Sequence, residues 1–151
     1  MTTVPAAGII PYIILPTGPI FLLGLEKSNH KWSGFVGGYE KKDKNIMETA
    51  VREFNEETAL IFEDLIPWIH KKIQTLNPVI ETTQTNRVVY LWFIEFPVSV
   101  LQRNIQILFL ENKKNLDKYY NEKNILKWFT LKQIENSNVL YKLKKTILRL
   151  F

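Results

Sequence analysis

Three glutamates on one predicted helix have the residue types and spacing that point most directly to chemistry. Residues 43–60 place apolar side chains at helical intervals, and Glu53, Glu56 and Glu57 fall within an arc of about 100° beside that apolar stripe. Like charges three and four residues apart repel each other, and solvent screens them less at the edge of a buried face. We therefore expect a compensating cation, and Mg²⁺ binds carboxylate oxygens of this kind.

The segment in front of this helix is rich in glycine. Residues 34–38 contain three glycines, which indicates a backbone that takes positive φ angles or lies close to a ligand. An ordinary solvated helix face would explain a lone pair of glutamates, but the glycine loop and its spacing from the helix argue against that interpretation. The sequence thus predicts a cation site built from a loop and a helix.

The remaining segments predict strands and helices that alternate around this site. Asp43 or Asn45 can cap the predicted helix at its start. Residues 6–15 and 20–25 are apolar runs joined by turn residues, as in a hairpin, and residues 88–96 are apolar enough for a strand buried on both faces. We further expect a short strand at 126–130, a helix near 101–118 and a C-terminal helix at 131–151. This alternation predicts an α/β fold.

The composition is that of one globular domain. The chain has 151 residues, 46% of them hydrophobic, and no cysteine, which excludes disulfides and cysteine nucleophiles. No apolar run approaches the roughly 18 residues of a membrane span. Pro5 and Pro11 interrupt the N-terminal apolar stretch, which also lacks basic residues. We therefore expect a single domain over residues 1–151, in the cytoplasm, with neither a signal peptide nor membrane contact.

Positive charge is concentrated in the C-terminal part of the chain. Residues 112–151 carry ten Lys and Arg against three Asp and Glu, a net charge of +7, whereas the whole chain carries +5. Such a region can attract RNA. Lys, Asn and Ile all have A/T-rich codons, however, so genome composition accounts for part of the lysine excess.

Residues 38–60 resemble the signature of the Nudix hydrolases, G-x5-E-x7-R-E-U-x-E-E-x-G-U, in which U is apolar. Two positions depart from it: Lys44 stands where the first glutamate is expected, and Ala59 where the last glycine is expected. The fixed spacing and the loop–helix context make the match specific. The matching residues are Gly38, Arg52, Glu53, Phe54, Glu56, Glu57 and Leu60.

The resemblance implies a fold and a reaction. The fold would be a Nudix-like α/β/α sandwich with a mixed β-sheet. The activity would be metal-dependent hydrolysis of the phosphoric anhydride in a nucleoside diphosphate linked to a moiety X, with Mg²⁺ or Mn²⁺ as the cofactor. Decapping of mRNA is an alternative, as is a non-catalytic relative that binds nucleotides or RNA. The identity of X and the oligomeric state, monomer or homodimer, stay open.

The resemblance also implies roles for individual residues. The metal ligands would be a backbone carbonyl near Gly38 and the carboxylates of Glu53 and Glu57, with Glu56 as a further ligand or as a partner of the ligands. Arg52 would orient the glutamates, and either Glu53 or Glu122 would be the general base. The lysine at position 44 implies weakened or altered metal binding, since an ammonium cannot ligate a metal.

Aromatic and basic residues near the predicted site are candidates for substrate binding. Trp32 and Tyr39 flank the glycine loop and can stack a base, and Arg87 is expected near the mouth of the site. Glu95 lies in the apolar strand at 88–96, from which it could also face the site.

Overall fold

The structure, a computed structural model, describes residues 3–114, 116 and 122–151. The strands are β1 (Ala6–Leu15), β2 (Gly18–Glu26), β3 (Trp32–Ser33), β4 (Phe35–Gly38), β5 (Val79–Thr82), β6 (Val88–Glu95) and β7 (Lys123–Thr130). The helices are α1 (Ile46–Glu57), α2 (Ile66–Ile73), α3 (Ile105–Lys114), α4 (Leu131–Asn136) and α5 (Tyr141–Leu150).

Strand β1 is the centre of a mixed seven-stranded sheet. It pairs in parallel with β6, and antiparallel with β2 across the predicted hairpin and with β4 at its other end. Strand β7 pairs antiparallel with the outer side of β2. Most β1 side chains are buried, as its apolar sequence requires of a strand covered on both faces. The register places Ala6 beside Gly38, so the predicted glycine loop ends at the N-terminal end of β1. Most of this segment is strand β4, and Gly34, Gly37 and Gly38 do not have positive φ angles, so that part of the prediction was wrong.

Helices cover both faces of this sheet. On one face α1 buries Ala50, Val51 and Phe54, and the Phe54 ring contacts the Phe35 ring of β4 with centroids 5.5 Å apart. On the other face α5 packs with Ile147 and its neighbours against a second apolar cluster. This arrangement confirms the predicted α/β class and its mixed sheet.

Helix α1 has well-defined ends. Asn45 is the N-cap, and its side chain accepts a hydrogen bond from the Glu48 N–H at 2.9 Å. After the helix, Ala59 and Leu60 both have left-handed backbones, with φ of 54° and 62°. A residue with a Cβ costs about 1–2 kcal/mol in this region. The chain therefore takes the turn for which the Nudix signature specifies glycine, although Ala59 stands there.

The C-terminal prediction was wrong in one respect. Residues 131–151 form two helices, because the chain is extended at Ser137, and Val139 then makes a β-bridge with Trp32. The helix expected near 101–118 is α3, preceded by a 3₁₀ turn at Val98–Gln102. Part of that prediction lies outside the described residues. Within the described ranges, no helix is both long and apolar enough to cross a membrane.

Candidate functional site

Arg52 on α1 joins the glycine loop to the helix. Its Nε and Nη2 donate to the two carboxylate oxygens of Asp43 at 2.9 and 3.0 Å, and Nη2 also donates to the Gly38 carbonyl at 3.0 Å. On its other side, Nη1 donates to Glu53 at 3.0 Å and to Glu56 at 3.4 Å. One guanidinium thus fixes the loop relative to two of the predicted site carboxylates.

Asp43 is a site residue whose role the sequence did not reveal. Its side chain is 1% exposed, and besides Arg52 it accepts hydrogen bonds from the Glu40 N–H at 3.0 Å and the Thr49 hydroxyl at 2.8 Å. Burial raises the pKa of the Asp43 carboxyl, but these hydrogen bonds and the charge of Arg52 outweigh it and lower that pKa to about 2.

Asp43, which makes the ion pair with Arg52, lies one residue before the position at which the signature has its first glutamate. Lys44 is one position further along and exposed, and it lines a cleft between α1 and α2. The Nudix signature has fixed spacing, so a search with it does not detect an acidic residue that is shifted by one position. The sequence feature that could have indicated the role of Asp43 is its position directly before Lys44, where the signature has glutamate.

We predict that Lys44→Glu has little effect. The new carboxylate would find Arg52 already paired with Asp43, so apparent Mg²⁺ affinity and kcat should stay within about fivefold of wild type, since exposed charge pairs contribute less than about 1 kcal/mol. A Mg²⁺ titration of both proteins measures this. A clear tightening of Mg²⁺ binding would show that residue 44 retains the role of the signature glutamate.

Glu53 lies directly against the backbone of the glycine loop. A Cβ atom on Gly37 would overlap the Glu53 carboxylate, so the close approach requires glycine at that position. Burial raises the pKa of Glu53, Arg52 acts against this, and the charges of Glu56 and Glu122 add to the increase. The carboxylate is therefore held in a confined, electrostatically costly position.

Glu57 is the most buried of the three helix glutamates. It is 4% exposed, its Oε1 lies 3.7 Å from the ammonium of Lys123, and its Oε2 has no hydrogen-bond partner among the described residues. Burial raises its pKa well above the usual range; Lys123 opposes this increase, while the carboxylates of Glu122 and Glu53 reinforce it. Glu57 thus carries a buried acceptor oxygen that a ligand could satisfy.

Glu122, in the turn before β7, comes close enough to Glu57 and Glu53 to affect both of their pKa values. Its own side chain is exposed. The structure therefore brings together the four predicted carboxylates, from α1 and from the approach to β7, beside Gly37 and Gly38.

The carboxylate oxygens of this cluster suit a divalent cation, although they are not arranged as a complete set of metal ligands. Within residues 3–114, 116 and 122–151, no three acidic or histidine side chains are arranged to enclose a metal ion. Instead, Glu53 accepts a hydrogen bond from Arg52 at 3.0 Å, and Glu57 Oε1 lies 3.7 Å from the Lys123 ammonium. The donors are nonetheless hard oxygens, and the unpartnered Oε2 of Glu57 is the kind of buried acceptor that Mg²⁺ would satisfy.

The three predicted substrate-binding residues lie in different surroundings. Trp32 packs its ring edge-on against Phe129 with centroids 4.8 Å apart. Tyr39 is half-buried and donates its N–H to Pro5 at 2.8 Å. Arg87 reaches the glycine loop, and its Nη2 would lie 2.7 Å from a Cβ built on Gly38.

Glu95 does not share the site. It pairs with Tyr12 near the far end of β1, whereas Gly38 pairs with Ala6 at the near end. Its side chain is exposed there. This placement excludes the alternative in which the strand carboxylate would face the glycine loop.

A cavity of about 560 Å³ opens on the opposite side of β4 from α1. Its lining is mainly apolar, with Val36, Val89 and Leu143 at its walls and Lys31, Tyr141 and Lys142 among its polar residues. It also includes Ser33 and Gly34, whose oxygen atoms accept hydrogen bonds from Lys123. Ser33 and Gly34 therefore line the cavity on one side and contact the Lys123 ammonium on the other.

Comparison with known proteins identifies the family. The NUDIX domain family matches residues 3–151, so the chain belongs to that family, as the signature at 38–60 indicated. No curated protein matches the chain.

Solved structures share the fold at low identity. The C. elegans Ap4A hydrolase binary complex is 18% identical, with a TM-score of 0.62, over 95% of this chain and 93% of that one. The NUDIX domain of Shewanella oneidensis NrtR complexed with ADP ribose is 12% identical, with a TM-score of 0.58, over 100% and 90%. S. oneidensis NrtR complexed with a 27mer DNA is 13% identical, with a TM-score of 0.58, over 97% and 60%.

The site predicts an unusual pH dependence of stability without metal. Because the pKa values of Glu53 and Glu57 are raised on folding, the native protein binds protons that the unfolded chain does not. Their contribution to stability should therefore improve as the pH falls from 7 toward about 4.5, near the unfolded pKa of glutamate. Asp43 acts in the opposite sense: its stabilising contribution, about 2 kcal/mol, should disappear between about pH 4 and its folded pKa of about 2.

Urea unfolding in EDTA between pH 3 and 8 measures both effects. Glu57→Gln should reduce the improvement between pH 7 and 4.5 while it leaves the loss below pH 4 unchanged. Parallel curves for wild type and Glu57→Gln above pH 4.5 would contradict the assignment to Glu57.

Proposed function

We propose that this protein is a metal-dependent pyrophosphohydrolase that cleaves a nucleoside diphosphate linked to another moiety. The observation that carries the proposal is the convergence of Glu53, Glu56, Glu57 and Glu122 beside Gly37 and Gly38, with one buried oxygen of Glu57 lacking a hydrogen-bond partner among the described residues. Family membership supports hydrolysis of a phosphoric anhydride as the reaction class.

Different residues of the site would bind the metal and position its ligands. Glu53, Glu56, Glu57 and the carbonyl near Gly38 would hold Mg²⁺ or Mn²⁺. When bound, the metal would neutralise phosphate charge and lower the pKa of the attacking water. Arg52 would keep the Gly38 carbonyl and Glu53 in register through the hydrogen bonds it already makes to both.

Glu53 and Glu122 are the two candidates for the general base. Both have side chains near Glu57. Glu122 has the more exposed side chain, so solvent water contacts it directly.

The cavity between the sheet and α5 is the proposed seat of the nucleoside. Its volume and its apolar walls suit a base and a sugar. Arg87, beside Gly38, would meet phosphate oxygens. The hydrolase acting on Ap4A and the NUDIX domain complexed with ADP ribose support a nucleotide derivative as the substrate class.

A substrate panel tests the proposal. Purified protein is incubated with nucleoside triphosphates, a nucleotide sugar, ADP-ribose, a dinucleoside polyphosphate and a capped RNA, with Mg²⁺, Mn²⁺ or EDTA. We expect cleavage of an anhydride bond that depends on metal, with products identified by mass. Glu53→Gln serves as the negative control for a contaminating hydrolase. Failure to cleave any member with either metal would count against the proposal.

A non-catalytic role in binding nucleotides or RNA is the second candidate. The observation in its favour is that Arg52 and Lys123 already neutralise two of the site carboxylates. Residues 112–151 supply the positive charge that RNA binding would use. A protein of this kind would retain nucleotide or RNA in EDTA, with an affinity for RNA that falls steeply with salt, and would turn over none of the panel.

The oligomeric state is a separate question. Sedimentation of the free and the ligand-bound protein would distinguish a monomer from a homodimer.

A further inference from the structure

Lys123 is buried where a lysine is rarely found. Its side chain is 1% exposed at the first position of β7, and a fully buried lysine needs partners for its charge and its three N–H groups. The ammonium donates to the Gly34 carbonyl at 3.0 Å and to the Ser33 hydroxyl, and it lies 3.4 Å from Glu26 Oε1. All three donors are therefore satisfied without Glu57.

The fold makes room for this side chain. A Cβ on Gly24, in the neighbouring strand β2, would lie 2.9 Å from Lys123 Cδ, so glycine leaves the space through which the lysine stem passes. At the far end, the ammonium lies 5.8 Å from the centroid of the Phe35 ring, within the range of a cation–π contact. The ammonium is thus fixed by β2, β3 and β4, and its position does not depend on Glu57.

This fixed cation faces a proposed metal ligand. Lys123 Nζ and Glu57 Oε1 are 3.7 Å apart, beyond hydrogen-bond distance, in a place where both side chains are almost fully buried. Their interaction is therefore mainly that of two charges with little solvent between them. A divalent cation that binds Glu57 would have to sit close to an ammonium that cannot move away.

We propose that Lys123 is a resident counter-cation of Glu57, and that it competes with the divalent metal for this carboxylate and lowers the metal affinity of the site. The proposal rests on the metal site of the proposed function and deepens it, because it assigns a determinant of metal affinity to a residue outside the Nudix signature. Lys123 acts here as a positioning residue, through Glu57 and without touching the substrate.

Direct metal binding tests the proposal without any substrate. The affinity of wild type and Lys123→Met for Mn²⁺ is measured by isothermal titration calorimetry. We expect the variant to bind Mn²⁺ about tenfold more tightly or better at a pH at which Glu57 is ionised, because the ammonium that competes with the metal for the Glu57 carboxylate has been removed. Lys127→Met is the matched control: it removes the same charge from an exposed position of the same strand, and should leave the affinity within about twofold.

Two further variants separate pairing with Glu57 from other effects. In a Glu57→Gln background, Lys123→Met should give no comparable gain in Mn²⁺ affinity, since the carboxylate for which the cations compete is absent. If Lys123→Met alone does not fold, because it leaves Glu26 without its cation, Lys123→Met/Glu26→Gln removes both charges and keeps Glu57. That double variant should show the same gain over Glu26→Gln.

Unchanged or weaker Mn²⁺ binding in the folded Lys123 variants would overturn the proposal, as would an equal gain in the Glu57→Gln background. These outcomes are independent of the substrate panel. A protein that hydrolyses nothing but gains Mn²⁺ affinity on Lys123→Met would refute the proposed activity and support the counter-cation. A protein that hydrolyses a nucleotide but shows no gain in Mn²⁺ affinity would support the proposed activity and refute the role of Lys123 as a counter-cation.

Discussion

Glu57→Gln is expected to reduce kcat by at least about a hundredfold while the fold stays intact. The variant replaces a proposed metal ligand by an amide of the same shape, and the charge stabilisation that a metal gives a transition state amounts to several kcal/mol. Without metal, the variant should be as stable as wild type or slightly more stable, because a buried carboxylate near Glu53 and Glu122 loses its charge.

Steady-state kinetics and urea unfolding in EDTA measure the two effects separately. Glu48→Gln, in the first turn of the same helix, is the matched control and should keep its activity. Loss of activity together with a large loss of stability would indicate a structural role for Glu57. Undiminished activity would contradict the assignment of Glu57 as a metal ligand.

Asp43→Ala should have the largest effect on stability. It would leave the guanidinium of Arg52, which is 14% exposed, without the carboxylate that accepts two of its hydrogen bonds. A buried charge left with no partner typically costs about 3–5 kcal/mol, but Arg52 keeps Glu53 and Glu56, so we expect a loss of about 2–3 kcal/mol in the free energy of unfolding. The activity should fall as well, because Arg52 would no longer hold the Gly38 carbonyl and Glu53 in a fixed relation.

The neighbouring lysine provides a rescue experiment for this prediction. Lys44→Glu alone should be nearly silent, but in the Asp43→Ala background it offers Arg52 a carboxylate at the position given by the Nudix signature. We expect Asp43→Ala/Lys44→Glu to recover part of the lost stability in urea unfolding. A double variant no more stable than Asp43→Ala would show that only residue 43 can reach the guanidinium.

Elements with a strong local pattern were predictable from the sequence. The hairpin at 6–15 and 20–25, the strand at 88–96 and the helix at 43–60 all correspond to observed elements, because each has an apolar periodicity and turn or capping residues of its own. The break between α4 and α5 was not predictable in this way. It results from contacts of Val139 and Leu140 with Trp32, a residue more than a hundred positions earlier in the chain.

In the candidate site, too, the residues that belong to a local pattern were predictable and those that depend on tertiary contacts were not. The placement of Glu53, Glu56 and Glu57 on one helix followed from their spacing, but the contributions of Asp43 and Lys123 depend on tertiary packing. A lysine in a sequence is normally exposed, and nothing near Lys123 in the chain signals that Ser33 and Gly34 will accept its hydrogen bonds.

The residue at position 24 limits which residue position 123 can hold, although the two are far apart in the sequence. A Cβ atom at residue 24 would lie 2.9 Å from Lys123 Cδ, so any larger residue there would force the lysine stem out of its present path. Relatives that carry a larger residue at position 24 are therefore expected to lack a lysine at position 123.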